Sequence, residues 1–113
     1  MEIVAKRIYE DYSKADGYRV LVDRLWPRGV SKESAKIDLW AKDITPSNDL
    51  RKWFHEDRDS RYAEFKKRYA KELKDGDYLQ SLKGDMKGKK RVTLLTAAKE
   101  VDRSHVPVLM KNI

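Results

Sequence analysis

Two short, nearly continuous apolar runs, Tyr18–Val22 and Arg91–Thr96, constrain this chain more than any other feature, because helical periodicity fills the long interval between them. A run with no polar face to turn toward water reads as a strand covered on both sides. Strands joined by helical crossovers, rather than by tight turns, line up in parallel. A third, β-branched run at Ile3–Tyr9 precedes them. The expectation is one α/β domain over residues 1–113: a small, mainly parallel sheet flanked by helices in a Rossmann-like, three-layer arrangement.

Local signals divide the rest of the chain. Asp16-Gly17 marks a turn, and Ser31 is placed to cap a short helix over Lys32–Lys36. Ile37–Ala41 alternates apolar with polar and reads as an extended edge segment. Thr45-Pro46 reads as an N-cap with proline at the first helical position, followed by Leu50, Trp53 and Phe54 at helical spacing. Arg58–Ser60 opens a longer helix whose apolar face is Tyr62, Phe65, Tyr69 and Leu73, with Gly76 just past its end. Tyr78, Leu79 and Leu82 begin another short helix that closes near Gly84 or Gly88. Ser104 is placed to cap a last helix with Pro107 in its first turn and Val106, Leu109, Met110 and Ile113 as its buried stripe.

The loop after the first buried strand carries the most distinctive chemistry. In Arg24-Leu25-Trp26-Pro27-Arg28-Gly29, Pro27 fixes its own φ and biases Trp26 toward an extended conformation, while Gly29 is free to turn. Arginine forks suit carboxylate and phosphate. Lys99 and the pair Ser104-His105 follow the other strand. Ligands of open α/β sheets sit beyond the carboxyl ends of the strands, so parallel neighbours would bring both loops to one edge. The expected ligand set is Arg24, Trp26, Arg28, Lys99, Ser104 and His105: arginines clamping a small anion, Trp26 covering it, and the Lys99–His105 segment completing the pocket. Each residue also has a structural role open to it. Asp23 and Arg24 can pair, Trp26 can be a core aromatic, Ser104 a cap, and His105 or His55 a residue at a helix end.

Other chemistries lack their parts. Without cysteine there is no disulfide, thiolate ligand or cysteine nucleophile. The two histidines lie far apart in sequence, so neither a metal nor another cofactor is expected. Lys83–Lys89 lacks the spacing of a phosphate-binding loop, and no serine sits in a nucleophile elbow. No apolar run is long enough to span a bilayer, which points to a cytoplasmic protein without a membrane partner. The net charge of +7 admits a second reading, a nucleic-acid-associated or protein-interaction module without catalysis. Of its basic clusters, Lys66-Lys67-Arg68 with Lys71 and Lys74 reads as a wet helix face, and Lys87, Lys89, Lys90 and Arg91 as solubilising gatekeepers before a buried strand; neither interleaves exposed aromatics. The sequence commits to no reaction and to no oligomeric state.

The string Val22-Asp23-Arg24-Leu25-Trp26-Pro27-Arg28-Gly29-Val30 resembles the YeaO-like group of the domain of unknown function 488 family. The resemblance continues through Asp38-Leu39-Trp40, Ile44-Thr45-Pro46-Ser47, Leu50–Phe54 and Thr93-Leu94-Leu95. It implies a small cytoplasmic protein with a compact α/β fold and names no activity. This chain departs from the pattern near its last strand, where Thr96 stands in place of a frequent tyrosine, Glu100 in place of aspartate and Ser104 in place of asparagine.

Overall fold

A computed structural model describes residues 1–113. Four strands form its sheet: β1 (Glu2–Arg7), β2 (Tyr18–Leu21), β3 (Leu39–Trp40) and β4 (Arg91–Thr96). Their spatial order is β1-β4-β2-β3, and every pairing is parallel. The two apolar runs are direct neighbours, with Val20 beside Leu94 and Leu21 beside Leu95. Ile37–Ala41 supplies the edge strand β3, as its alternation predicts. Five helices complete the chain: α1 (Lys32–Ala35), α2 (Asn48–Glu56), α3 (Arg58–Asp75), α4 (Tyr78–Met86) and α5 (Val106–Asn112).

Strand side chains alternate between faces, and here the two faces carry unequal layers. On one, Val20, Val22, Val92 and Leu94 meet Leu50 and Phe54 of α2, Phe65, Tyr69 and Leu73 of α3, Leu79, Leu82 and Met86 of α4, and Val106, Val108 and Leu109 of α5. On the other, Leu21, Leu95 and Ile8 meet only Ala35 of α1, with Trp26, Val30, Ile37, Trp40 and Ala97 packed around them. The third layer is thus one short helix and the loops on either side of it.

The thin layer is held by polar contacts as well. Arg19, 2% exposed, gives hydrogen bonds from Nε and Nη2 to the carbonyl of Ala35 (3.2 and 2.9 Å) and pairs through Nη1 with the Asp16 carboxylate. The fork satisfies the carbonyl end of α1, where an intrahelical donor is lacking. Lys6 reaches Asp16 from β1 at 3.2 Å, and Thr93 donates to the Asp16 carbonyl at 2.7 Å. Gly17, at φ 68°, lets the chain pass close to β4: a Cβ there would collide with the carbonyl of Arg91.

Helix starts follow short polar side chains. Ser31, Ser47 and Asp57 accept from the backbone N–H groups of Ser34, Leu50 and Ser60. The start of α2 differs from the sequence expectation: Ser47, not Thr45, is its cap. Glu72 of α3 accepts from both the N–H and the hydroxyl of Ser47 (2.9 and 2.7 Å), while Thr45 turns its hydroxyl to the Lys42 carbonyl. Gly84 lies within α4, and the left-handed turn after that helix falls at Gly88.

Candidate functional site

The carboxyl ends of β2 and β4 are joined by Asp23. Its carboxylate accepts from the Thr96 hydroxyl at 2.8 Å and from the Ala97 N–H at 2.7 Å, and its carbonyl accepts from the Trp40 indole at 2.8 Å. One residue therefore fixes the end of β2 against both of its neighbours. Asp23 makes no ion pair with Arg24.

His105 packs beneath this junction, immediately before α5. Its Nε2 lies 2.6 Å from the carbonyl of Val22 and 3.7 Å from the Asp23 carboxylate. A carbonyl only accepts, so Nε2 carries the hydrogen and Nδ1 is left as an acceptor. Burial lowers the His105 pKa below the ordinary histidine value, against the Val22 carbonyl and Asp23, which raise it; Arg51 lowers it further. The neutral ring stands edge-on to Tyr69 with centroids 6.1 Å apart. Tyr69 in turn donates to the Ile44 carbonyl at 2.6 Å, and burial lifts its phenol well above the usual range. Ser104, also buried, donates to the Val101 carbonyl and accepts from the Val106 N–H at 3.2 Å, one residue ahead of the position at which α5 is capped.

Two arginines at this edge are incompletely partnered. Arg24 donates from Nη2 to the Pro46 carbonyl at 3.3 Å, while its Nε is buried without an acceptor. Arg51, on the second turn of α2, likewise has a buried Nε without an acceptor, and its charge is felt at both His105 and His55. Neither has a carboxylate within 4.0 Å, whereas Arg19, Arg61, Arg68, Arg91 and Arg103 all do.

The other expected residues are placed as follows. Trp26 is half-buried, with its indole N–H on the Val30 carbonyl at 2.6 Å and its ring edge-on to Trp40 at 5.4 Å. Arg28 is exposed; its carbonyl accepts from the Tyr9 hydroxyl at 3.3 Å, and its guanidinium has no protein partner. Lys99 is exposed on the turn after β4. The fold brings Arg24 and His105 to the end of β2 and leaves Arg28 and Lys99 exposed on their loops.

Asp23 as a tie and Arg51 as a site residue were not expected from the sequence. Asp23 finds its partners more than seventy positions away, which no local pattern reveals. The signal for Arg51 is faint: it stands four residues from both Ser47 and His55, on one face of α2. Two hollows lie elsewhere. One, of about 570 Å³, is formed by the end of α3, the start of α4 and Asn112; the other, of about 590 Å³, lies beside Met1, Ile3, Met86 and Ile113. No group of three or more histidine, aspartate or glutamate side chains is placed to hold a metal ion, and no helix is long and apolar enough to cross a membrane.

Residues 2–113 match the protein family described as DUF488-N3i, the inactive DUF488-N3 subclade. Curated relatives cover almost the same length. An uncharacterized protein of Mycobacterium tuberculosis (strain H37Rv), Rv3073c, is 45% identical over 103 residues, which span 91% of this chain and 86% of the relative. The uncharacterized protein YeaO of Escherichia coli (strain K12) is 43% identical over 109 residues, spanning 96% and 94%. No solved structure matches the chain.

Proposed function

This chain belongs to the DUF488-N3i family, and from that premise we propose that it binds a small phosphate- or carboxylate-bearing ligand at the carboxyl ends of β2 and β4 without transforming it. The observation that carries the reading is the pair Arg24 and Arg51. Both are half-buried, both keep a buried Nε without an acceptor, and neither is neutralised by a carboxylate. A buried polar donor left unmet is costly, and an anion supplies the missing acceptors together with the countercharge. Arg28 and Lys99 extend the positive field outward and draw the anion in. Trp26, Ser104 and His105 hold the walls: their hydrogen bonds to Val30, Val101 and Val22 fix the two loops and occupy their donors.

The absence of an obvious reactive group supports binding over catalysis. Asp23 is engaged by Thr96 and Ala97, and His105 is held in the wall between the Val22 carbonyl and the Tyr69 ring. The family description, an inactive subclade, agrees. We place the protein in the cytoplasm, a reducing setting that a cysteine-free chain suits.

Thermal unfolding at low salt, scanned across inorganic phosphate, sulfate, dicarboxylates and nucleotides, tests this. A ligand at about ten times its Kd stabilises by about 1.4 kcal/mol, several degrees for a domain of this size. Arg24→Gln and Arg51→Gln each abolish that shift while the unliganded protein still folds. No shift with any anion overturns the reading.

A second reading, binding of single-stranded nucleic acid, draws on the face of α2 and α3. There the guanidinium groups of Arg61 and Arg68 each lie over the Trp53 ring (4.9 and 4.1 Å from its centroid), and Tyr62 lies within reach of Lys66 and Arg103. Basic groups and aromatics do interleave here, as they do in strand-tracking grooves. Such binding weakens steeply with salt and is lost in Trp53→Ala; no retention at low salt removes it.

A further inference from the structure

We propose that the open edge of β1 pairs with β1 of a second copy of this chain, antiparallel and about a two-fold axis, so that the two sheets become one.

The hydrogen-bond pattern of β1 determines which groups are free. Glu2 donates to the Lys90 carbonyl at 2.9 Å and Ile8 to the Thr96 carbonyl at 2.8 Å, both toward β4. Alternate residues of a strand aim their N–H and C=O groups to opposite sides. Glu2, Val4, Lys6 and Ile8 therefore face β4, and Ile3, Ala5 and Arg7 face outward. Arg7 is already satisfied: its N–H donates to the Glu10 carboxylate at 2.9 Å, and its carbonyl accepts from the Glu10 N–H at 3.1 Å. What stays open is the N–H and C=O of Ile3 and of Ala5.

Facing residues of an antiparallel pair exchange both hydrogen bonds. Setting Ile3 against Ala5 of the second copy, and Ala5 against its Ile3, uses every open group and needs nothing from Arg7. The neighbouring register, Ala5 on Ala5, would set Ile3 against the occupied Arg7 and bring Val4 against a lysine.

Side chains favour the same register. Along the other face, β1 reads Glu2, Val4, Lys6: acid, apolar, base. A two-fold axis turns that order end for end. Glu2 then stands opposite Lys6 of the second copy and Val4 opposite Val4, so no like charges face each other across the strands while Glu2 keeps Arg91 and Lys6 keeps Asp16. Open edges are usually guarded by proline, a bulge or an outward lysine. Here the Lys6 amine turns back to the Asp11 carbonyl and the Asp16 carboxylate instead, and Ala5 is small and exposed. A second strand can approach.

The ladder is short and its interface smaller than a standard one, so the dimer forms at high concentration. Sedimentation equilibrium between about 10 μM and about 1 mM is the test. The expected result is a concentration-dependent dimer, with amide exchange at Ile3 and Ala5 slowing as the dimer fills. Ala5→Pro removes one outward N–H and no bond to β4, so it leaves the fold intact and the protein monomeric throughout. Glu2→Lys, at an exposed position, keeps the fold by another route and weakens the dimer about tenfold by facing lysine with lysine. A monomer at every concentration, or a dimer that survives both variants, overturns the proposal.

Discussion

Asp23 shows how much one residue can set. Its two oxygens hold Thr96 and Ala97, and its carbonyl holds Trp40. Asp23→Ala keeps the carbonyl under Trp40 but strands the Thr96 hydroxyl and the Ala97 N–H, and costs about 2–3 kcal/mol in urea unfolding; Thr96→Val, which removes its bond to Asp23 and the one it accepts from the Ala98 N–H, costs about 1–2 kcal/mol. Gly17→Ala costs at least about 2 kcal/mol by the same measurement, because it adds a steric clash with Arg91 to a positive φ. His105 governs the response to acid. Burial first of all, with Arg51 adding to it, lowers its pKa in the fold from the ordinary 6.5, even though Val22 and Asp23 pull upward. Below that value the unfolded chain takes a proton that the folded chain refuses. The unfolded state then binds more protons, so stability falls as pH drops from about 7 toward 5, by at most about 1.4 kcal/mol per pH unit. His55 shifts in the same direction through burial, Arg58 and Arg51. In a His55→Asn background, His105→Gln keeps a donor for Val22 and flattens the acid limb of urea midpoints measured across this range.

Strands and helices differ in how firmly they are held. β4 has a neighbour on each side and packed layers above and below, while β3 is two residues long at an edge. Amide exchange at Leu94 and Leu95 therefore follows global unfolding, and amides of β3 open at least about 2 kcal/mol more readily. The same contrast explains what could be read from the sequence. β4 is legible because its apolar run has no polar face, and α3 because Phe65, Tyr69 and Leu73 repeat at helical spacing and all are buried. The start of α2 lies two residues beyond the position that Thr45-Pro46 marks. Thr45-Pro46 carries the local signature of a cap, but Glu72 reaches across from α3 and selects Ser47, a contact that only the folded chain creates. Around the candidate site, Arg24 and His105 announced themselves by following strands. Arg51 did not, since it sits mid-helix among ordinary polar residues.

The whole molecule is lopsided: a deep core on one side of the sheet and a thin one on the other. β2 and β4 contribute to both, so the two layers share their inner wall and unfold together. The tryptophans report this separately, Trp26 and Trp40 from the thin layer and Trp53 from the helical one. In Trp53→Phe, fluorescence and far-UV circular dichroism give the same urea midpoint, as two-state unfolding requires. An earlier fluorescence transition would mean that the thin layer melts first. The strand order also has a consequence for synthesis. β1 and β2 leave the ribosome early, yet neither is the other's neighbour, and the strand that belongs between them is made only at residues 91–96. Until then β1 has no strand to pair with and β2 has only the two residues of β3 on its far side, and holding these segments apart from other growing chains in that interval falls to the cell.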